Sequence, residues 1–141
     1  MKVIGLIGGA SWQSSAEYYR LIHQEVMQRL GAAYSAELIM YSLDFCPVAE
    51  LEHQEKWDEL ARFLIDAIKR LERAGAEFVM VASNTVHRVA DQLEQSISIP
   101  LLHVADAVAE EIGKTRISTV GLLGTRFGSK ISIEISSPLT V

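Results

Sequence analysis

Cysteine is almost missing from this sequence: Cys46 is alone among 141 residues. That excludes an internal disulfide and a cysteine-based zinc site. Basic charge is also short, with 13 Lys and Arg against 18 Asp and Glu, a net charge of -5, and no basic stripe. Such a balance argues against non-specific binding to nucleic acid or to an anionic membrane. No apolar run approaches the roughly 18 residues that a membrane span needs. The opening MKVIGLIGGASW is broken by glycines and turns polar where a signal peptide's apolar region would continue. A cytoplasmic protein with neither nucleic acid nor membrane as partner is therefore expected. Two nucleotide signatures are absent as well. The glycines after the first apolar run fall as G-x-x-G-G, not G-x-G-x-x-G, and no Gly-Lys-Ser/Thr follows.

What is present is an alternation. Apolar residues make up 49% and charged residues 22%, ordinary for a globular chain of one domain without repeats or linker. Residues 2–8, KVIGLIG, read as a strand buried on both faces. Ser14 followed by Glu17 has the form of a capping box. Tyr18, Leu21, Ile22, Val26 and Leu30 then recur at helical spacing up to Gly31. Residues 36–43 form the next strand. A long amphipathic stretch after Pro47 carries Trp57, Leu60, Leu64, Ile68 and Leu71 on one face and stops at Gly75. Residues 77–82 predict a third strand, 85–95 a third helix, ISIPLLHV a fourth strand, 106–112 a short helix and 118–124 a fifth strand. Strands alternating with helices predict an α/β fold, a parallel sheet with helices on both faces.

The end breaks the pattern. After Gly124-Thr125-Arg126-Phe127, where another crossover helix is due, Ile131, Ile133 and Ile135 alternate with Ser132 and Glu134. That is a strand-like period. A doubly wound unit ending there leaves apolar surface uncovered, so a homo-oligomer is expected.

Ligands of open parallel sheets bind at the carboxyl ends of the strands. Four stretches fall there: Gly8 to Ser11, Leu43 to Phe45, Ser83 to Thr85, and Gly124-Thr125. Hydroxyl and amide groups at helix starts suit a carboxylate or phosphate. Each feature also has a plainer reading. The glycines serve any tight turn, and Asn84 and Thr85 are good helix caps. His87 and His103 read as packing, His53 as a solvated helix position, Trp57 as core, and Cys46 as an incidental thiol.

Taken together, KVIGLIGGASWQSSAEYYRLI, SNTVHRVADQLEQSISIPLLHVADA and VGLLGTRF resemble the aspartate/glutamate racemase family, in register over about residues 1–127. The resemblance implies the N-terminal half of a two-domain racemase fold. It implies amino-acid racemisation without pyridoxal phosphate or any other cofactor, and without a metal. Two cysteine thiols, one from each domain, would take and give the Cα proton from opposite faces, and a dry site with a firm grip on the carboxylate would assist them. Carried over by position, Ala10 and Ser11 would touch the substrate, Asn84 and Thr85 would hold its α-carboxylate, and Thr125 would stand at the rim. Arg126 is the nearest cationic candidate for a side-chain carboxylate in this half.

Two departures are plain. Where the family has its first cysteine this sequence has Ala82, whose methyl group moves no proton. Gly128 stands where the family continues with threonine, and residues 128–141 diverge, so the second domain and its cysteine are expected to be lacking. The reading is thus a racemase-family chain, inactive as given. The alternative is a non-catalytic module binding a small carboxylate or amino acid; a third and weaker reading is a nucleotide- or phosphate-binding domain.

Overall fold

The computed structural model describes residues 1–115, 117 and 119–121. The expected fifth strand falls largely outside them, as do Thr125, Arg126 and the divergent tail. Four strands form one parallel sheet: β1 (Ile4–Gly8), β2 (Leu38–Ser42), β3 (Phe78–Val81) and β4 (Leu101–Leu102), in the order β2-β1-β3-β4. β1 is paired on both edges, Ile7 lying beside Tyr41 on one side and Val81 on the other, and all five of its residues are buried. This is why its sequence is a continuous apolar run and not an alternating one.

Side-chain alternation along β3 and β4 sorts the two faces. Val79, Val81 and Leu101 belong to the main core with Ile7, whereas Phe78, Met80 and Leu102 line a hollow beside α1 (Trp12–Leu30). The core side is built by α3 (Trp57–Arg73), which buries Leu60, Leu64, Ile68 and Leu71 at helical spacing. Burying four such side chains contributes roughly 1.5–3 kcal/mol each before the entropy of ordering is subtracted.

The long helix expected after Pro47 is two helices. α2 (Phe45–His53) starts on an Asp44 cap whose carboxylate accepts the Cys46 amide at 3.1 Å, so Pro47 sits in its first turn, where a missing amide proton is tolerated. α2 ends in a paired closure, Lys56 N–H to Leu51 C=O at 2.9 Å and Glu55 N–H to Glu52 C=O at 3.1 Å. Glu55 takes the left-handed turn at φ 53°. This terminus usually carries glycine; a glutamate in its place leaves no sign in the sequence. α3 closes the same way at Gly75, φ 101°, and there the glycine does mark the end.

The third helix is also divided, into a 3-10 segment, α4 (Thr85–Val89), and a short α5 (Ala90–Glu94). α6 (Val104–Gly113) follows β4. α3 packs against both α4 and α5, which places all three on the core face. No helix among the described residues is long and apolar enough to cross a membrane.

Candidate functional site

With the order β2-β1-β3-β4 the chain proceeds outward from β1 in one direction to β2 and in the other to β3 and β4. The crevice at the carboxyl ends of β1 and β3 is therefore the place where an open sheet accepts a ligand. The loop after β1 carries Gly9, Ala10 and Ser11; the loop after β3 carries Ala82, Ser83 and Asn84. The Ala82 amide donates to the Ile7 carbonyl at 2.9 Å, which continues the ladder and sets Ala82 beside Gly8. On the other side of Gly8, its carbonyl accepts the Leu43 amide at 2.9 Å. Ala10, Ser11, Ala82, Asn84 and Thr85 are thus brought to one edge.

The first loop is held by a buried serine. Ser15, 4% exposed, accepts the Gly9 amide on its Oγ at 2.9 Å and donates that hydroxyl to the Ser11 carbonyl at 2.9 Å. Gly9 has φ 87°, and its Cα faces the Leu43 backbone. Ser11, not Ser14, is the cap of α1: its Oγ accepts the Ser14 amide at 3.3 Å and donates to Gln13 Oε1 at 3.3 Å. The expected capping box fails because the helix begins three residues earlier, and Glu17 instead pairs with Arg20 at 2.6 Å. Replacing Ser15 with alanine strands the buried Gly9 amide. The expected cost is about 1–3 kcal/mol, read as a lower urea midpoint with an unchanged slope.

In the second loop Ala82 is 2% exposed, Ser83 and Thr85 are half-buried, and Asn84 is exposed. The plain capping reading of Asn84 is not realised. Its backbone is already helical, φ -65° and ψ -42°, and its side chain makes no cap hydrogen bond; a capping residue normally has extended backbone.

His87, read as packing, is indeed buried at 4% exposure, but its ring is also fully engaged. Nδ1 lies 2.8 Å from the Ser83 carbonyl, and Nε2 accepts the Val104 amide over a longer 3.4 Å. Burial, the largest influence, holds its pKa below the usual histidine value, with the Ser83 carbonyl pulling the other way. His103 stands 4.5 Å away, edge to face, and caps α6 by accepting the Ala105 amide on Nδ1 at 3.0 Å. The sequence reading missed this capping role, since histidine is not a usual cap.

Trp57 is partly buried with the Arg88 guanidinium 4.2 Å over its ring. Cys46 is exposed, and its thiol is pushed up chiefly by Glu50, then by slight burial and by Asp44. It is the opposite of an activated thiol. His53 is exposed at the end of α2. No three His, Cys, Asp or Glu side chains among the described residues are grouped to hold a metal ion.

The open parallel sheet with helices packed on it is an α/β unit, with polar residues in the loops at its switch point. The sequence pattern of the Asp/Glu/Hydantoin racemase family matches residues 7–134, and the chain belongs to that family. It is 24% identical over 115 residues to the broad specificity amino-acid racemase RacX of Bacillus subtilis (strain 168), covering 78% of this chain and 49% of that protein. A crystal structure of a candidate Asp/Glu racemase from Yersinia pestis is 46% identical with a TM-score of 0.86, covering 90% of this chain and 55% of that one. An aspartate racemase homologue from Pyrococcus horikoshii OT3 is 39% identical with a TM-score of 0.69, covering 81% and 50%. The chain spans about half the length of these relatives.

Proposed function

We propose that this chain carries the carboxylate-holding side of an amino-acid racemase site and does not itself abstract the Cα proton. Ser11, Asn84 and Thr85 grip the α-carboxylate of an amino acid or dicarboxylate, aspartate and glutamate first, with Ala10 at the margin; Thr125, given the rim by the family resemblance, lies outside the described residues. The observation that carries this reading is Ala82. It directly follows β3, beside Gly8 and immediately before Ser83-Asn84-Thr85, at the position where the family resemblance puts a thiol. Cys46 does not replace that thiol: it lies across the β2 loop in α2, beside two carboxylates that disfavour its thiolate. A hydroxyl such as Ser83 is a far weaker acid than a thiol. The chain then acts as a binding partner for its ligand, without pyridoxal phosphate. The exposed apolar residues of α1, among them Tyr19, Leu21, Met27 and Leu30, support self-association, which sedimentation at two concentrations measures.

The test is proton exchange. The protein is placed in deuterated water with L-aspartate or L-glutamate, and the α-proton NMR signal is followed for a day. The expected signal is unchanged relative to a protein-free control, with ligand line broadening that reports binding. Loss of the α-proton signal would mean that another base operates, and the reading of Ala82 would be abandoned. Sharp, unshifted ligand lines would remove the carboxylate grip.

A further inference from the structure

His87 joins two backbone groups 21 positions apart in the chain, Ser83 and Val104. On one side is the Ser83 carbonyl, in the turn that carries Asn84 and Thr85; on the other is the Val104 amide at the first turn of α6. The partners fix the tautomer. A carbonyl can only accept, so Nδ1 carries the proton, and a backbone amide can only donate, so Nε2 carries the lone pair. We propose that neutral His87 is a positioning residue that clamps the Ser83–Thr85 turn to α6, and that its protonation releases the turn. The reason is local. Imidazolium has a proton on both nitrogens, so Nε2–H would point at the Val104 N–H, donor against donor. The coupling to a ligand rests on the carboxylate reading above; the clamp itself does not.

Burial acts most strongly on His87, the Ser83 carbonyl comes next, and the β4–α6 segment adds two side chains. His103 disfavours the charged form and Asp106 favours it, and burial outweighs both. Of its own segment, the Ser83 and Asn84 backbone favours the charged form. Arg88 is turned toward Trp57 of α3. With its pKa held low, His87 stays neutral in the folded protein where the unfolded chain already binds a proton. Between the folded value and the unfolded value near 6.5 the unfolded state holds more protons, so stability rises with pH and is lost as pH falls through that window.

The experiment follows the ligand-free protein by NMR from pH 8 to pH 5, recording the His87 ring together with the Val104, Asn84 and Thr85 amides. The amides are expected to move with the His87 midpoint. In parallel, affinity for L-aspartate is measured; neither its α-carboxylate nor its side chain titrates far in this range. Affinity is expected to fall roughly tenfold per pH unit below that midpoint. His87→Asn places its amide N–H near Nδ1 and keeps the Ser83 bond; His87→Gln places an acceptor near Nε2 and keeps the Val104 bond. Each is expected to flatten the pH profile, whereas His103→Asn, which retains a capping oxygen, is expected to keep it. Amides that ignore the His87 midpoint in the wild-type protein would overturn the clamp. Amides that follow it with no aspartate affinity at any pH would support the clamp and sink the carboxylate reading instead.

Discussion

Gly9→Ala is expected to destabilise the protein by roughly 3 kcal/mol or more and to deform the edge formed by the β1 and β3 loops in whatever fraction stays folded. Two effects add. Gly9 has φ 87°, where an L side chain costs of the order of 1–3 kcal/mol. A Cβ there would also fall on the Leu43 backbone, against its oxygen and nitrogen and 2.8 Å from its carbonyl carbon. The obstacle is backbone, so no rotamer relieves it. The chain has to give up the 2.9 Å bond from the Leu43 amide to the Gly8 carbonyl, which ties the β1 and β2 loops together. Urea unfolding measures the first effect. The second is read from the amide shifts of Ser11 and Ser15. A loss below about 1 kcal/mol would show that the β1–α1 turn does not have this geometry.

Leu64→Ala is the matching loss in the core. Leu64 lies mid-way along α3, 1% exposed, in the cluster that joins α3 to the sheet and to the Val86 and Val89 turn. Truncation removes three buried carbons and leaves a cavity that close-packed neighbours only partly fill, for an expected 2–5 kcal/mol. Against a typical total of 5–15 kcal/mol that is a large share. The two variants differ in what survives. Leu64→Ala should lower the urea midpoint while the folded fraction keeps the Gly9–Ser11 shifts of the parent protein. Gly9→Ala should change both. If Leu64→Ala cost less than about 1 kcal/mol, the core would be closing over the gap or α3 would be less firmly seated than its burial implies.

Much of the fold was legible because its signals are local. β1 is an apolar run because it is central, α3 shows its stripe because one face is buried, and Gly31 and Gly75 mark helix ends because both take positive φ. What was illegible had a physical cause in each case. The break at Gln54 to Lys56 uses Glu55 in a left-handed turn, a residue with no such preference, held there by the carbonyls of Leu51 and Glu52. The third helix starts as a 3-10 segment over Thr85 to Val89, and periodicity over five residues does not separate that from an α-helix. Ser11 displaced Ser14 as the α1 cap because the turn at Gly9 ends where Ser11 stands, in a segment with three serines to choose from.

For the edge that the family resemblance pointed to, the sequence by itself determined the residue types: glycines and a serine after β1, a small apolar residue and three polar ones after β3, and alanine in place of a thiol. These are covalent facts, and Ala82 lacks an acidic proton in any fold. Only the tertiary structure decided which of them meet. The strand order puts β3 beside β1, so that Ala82 stands next to Gly8. The burial of Ser15 gives the Gly9 amide its partner. The approach of α6 turns His87 from a packing residue into a two-sided hydrogen-bonding bridge. The Ala82–Gly8 and His87–Val104 contacts join residues far apart in the chain, and no local pattern encodes them, because they exist only once the sheet has set its order.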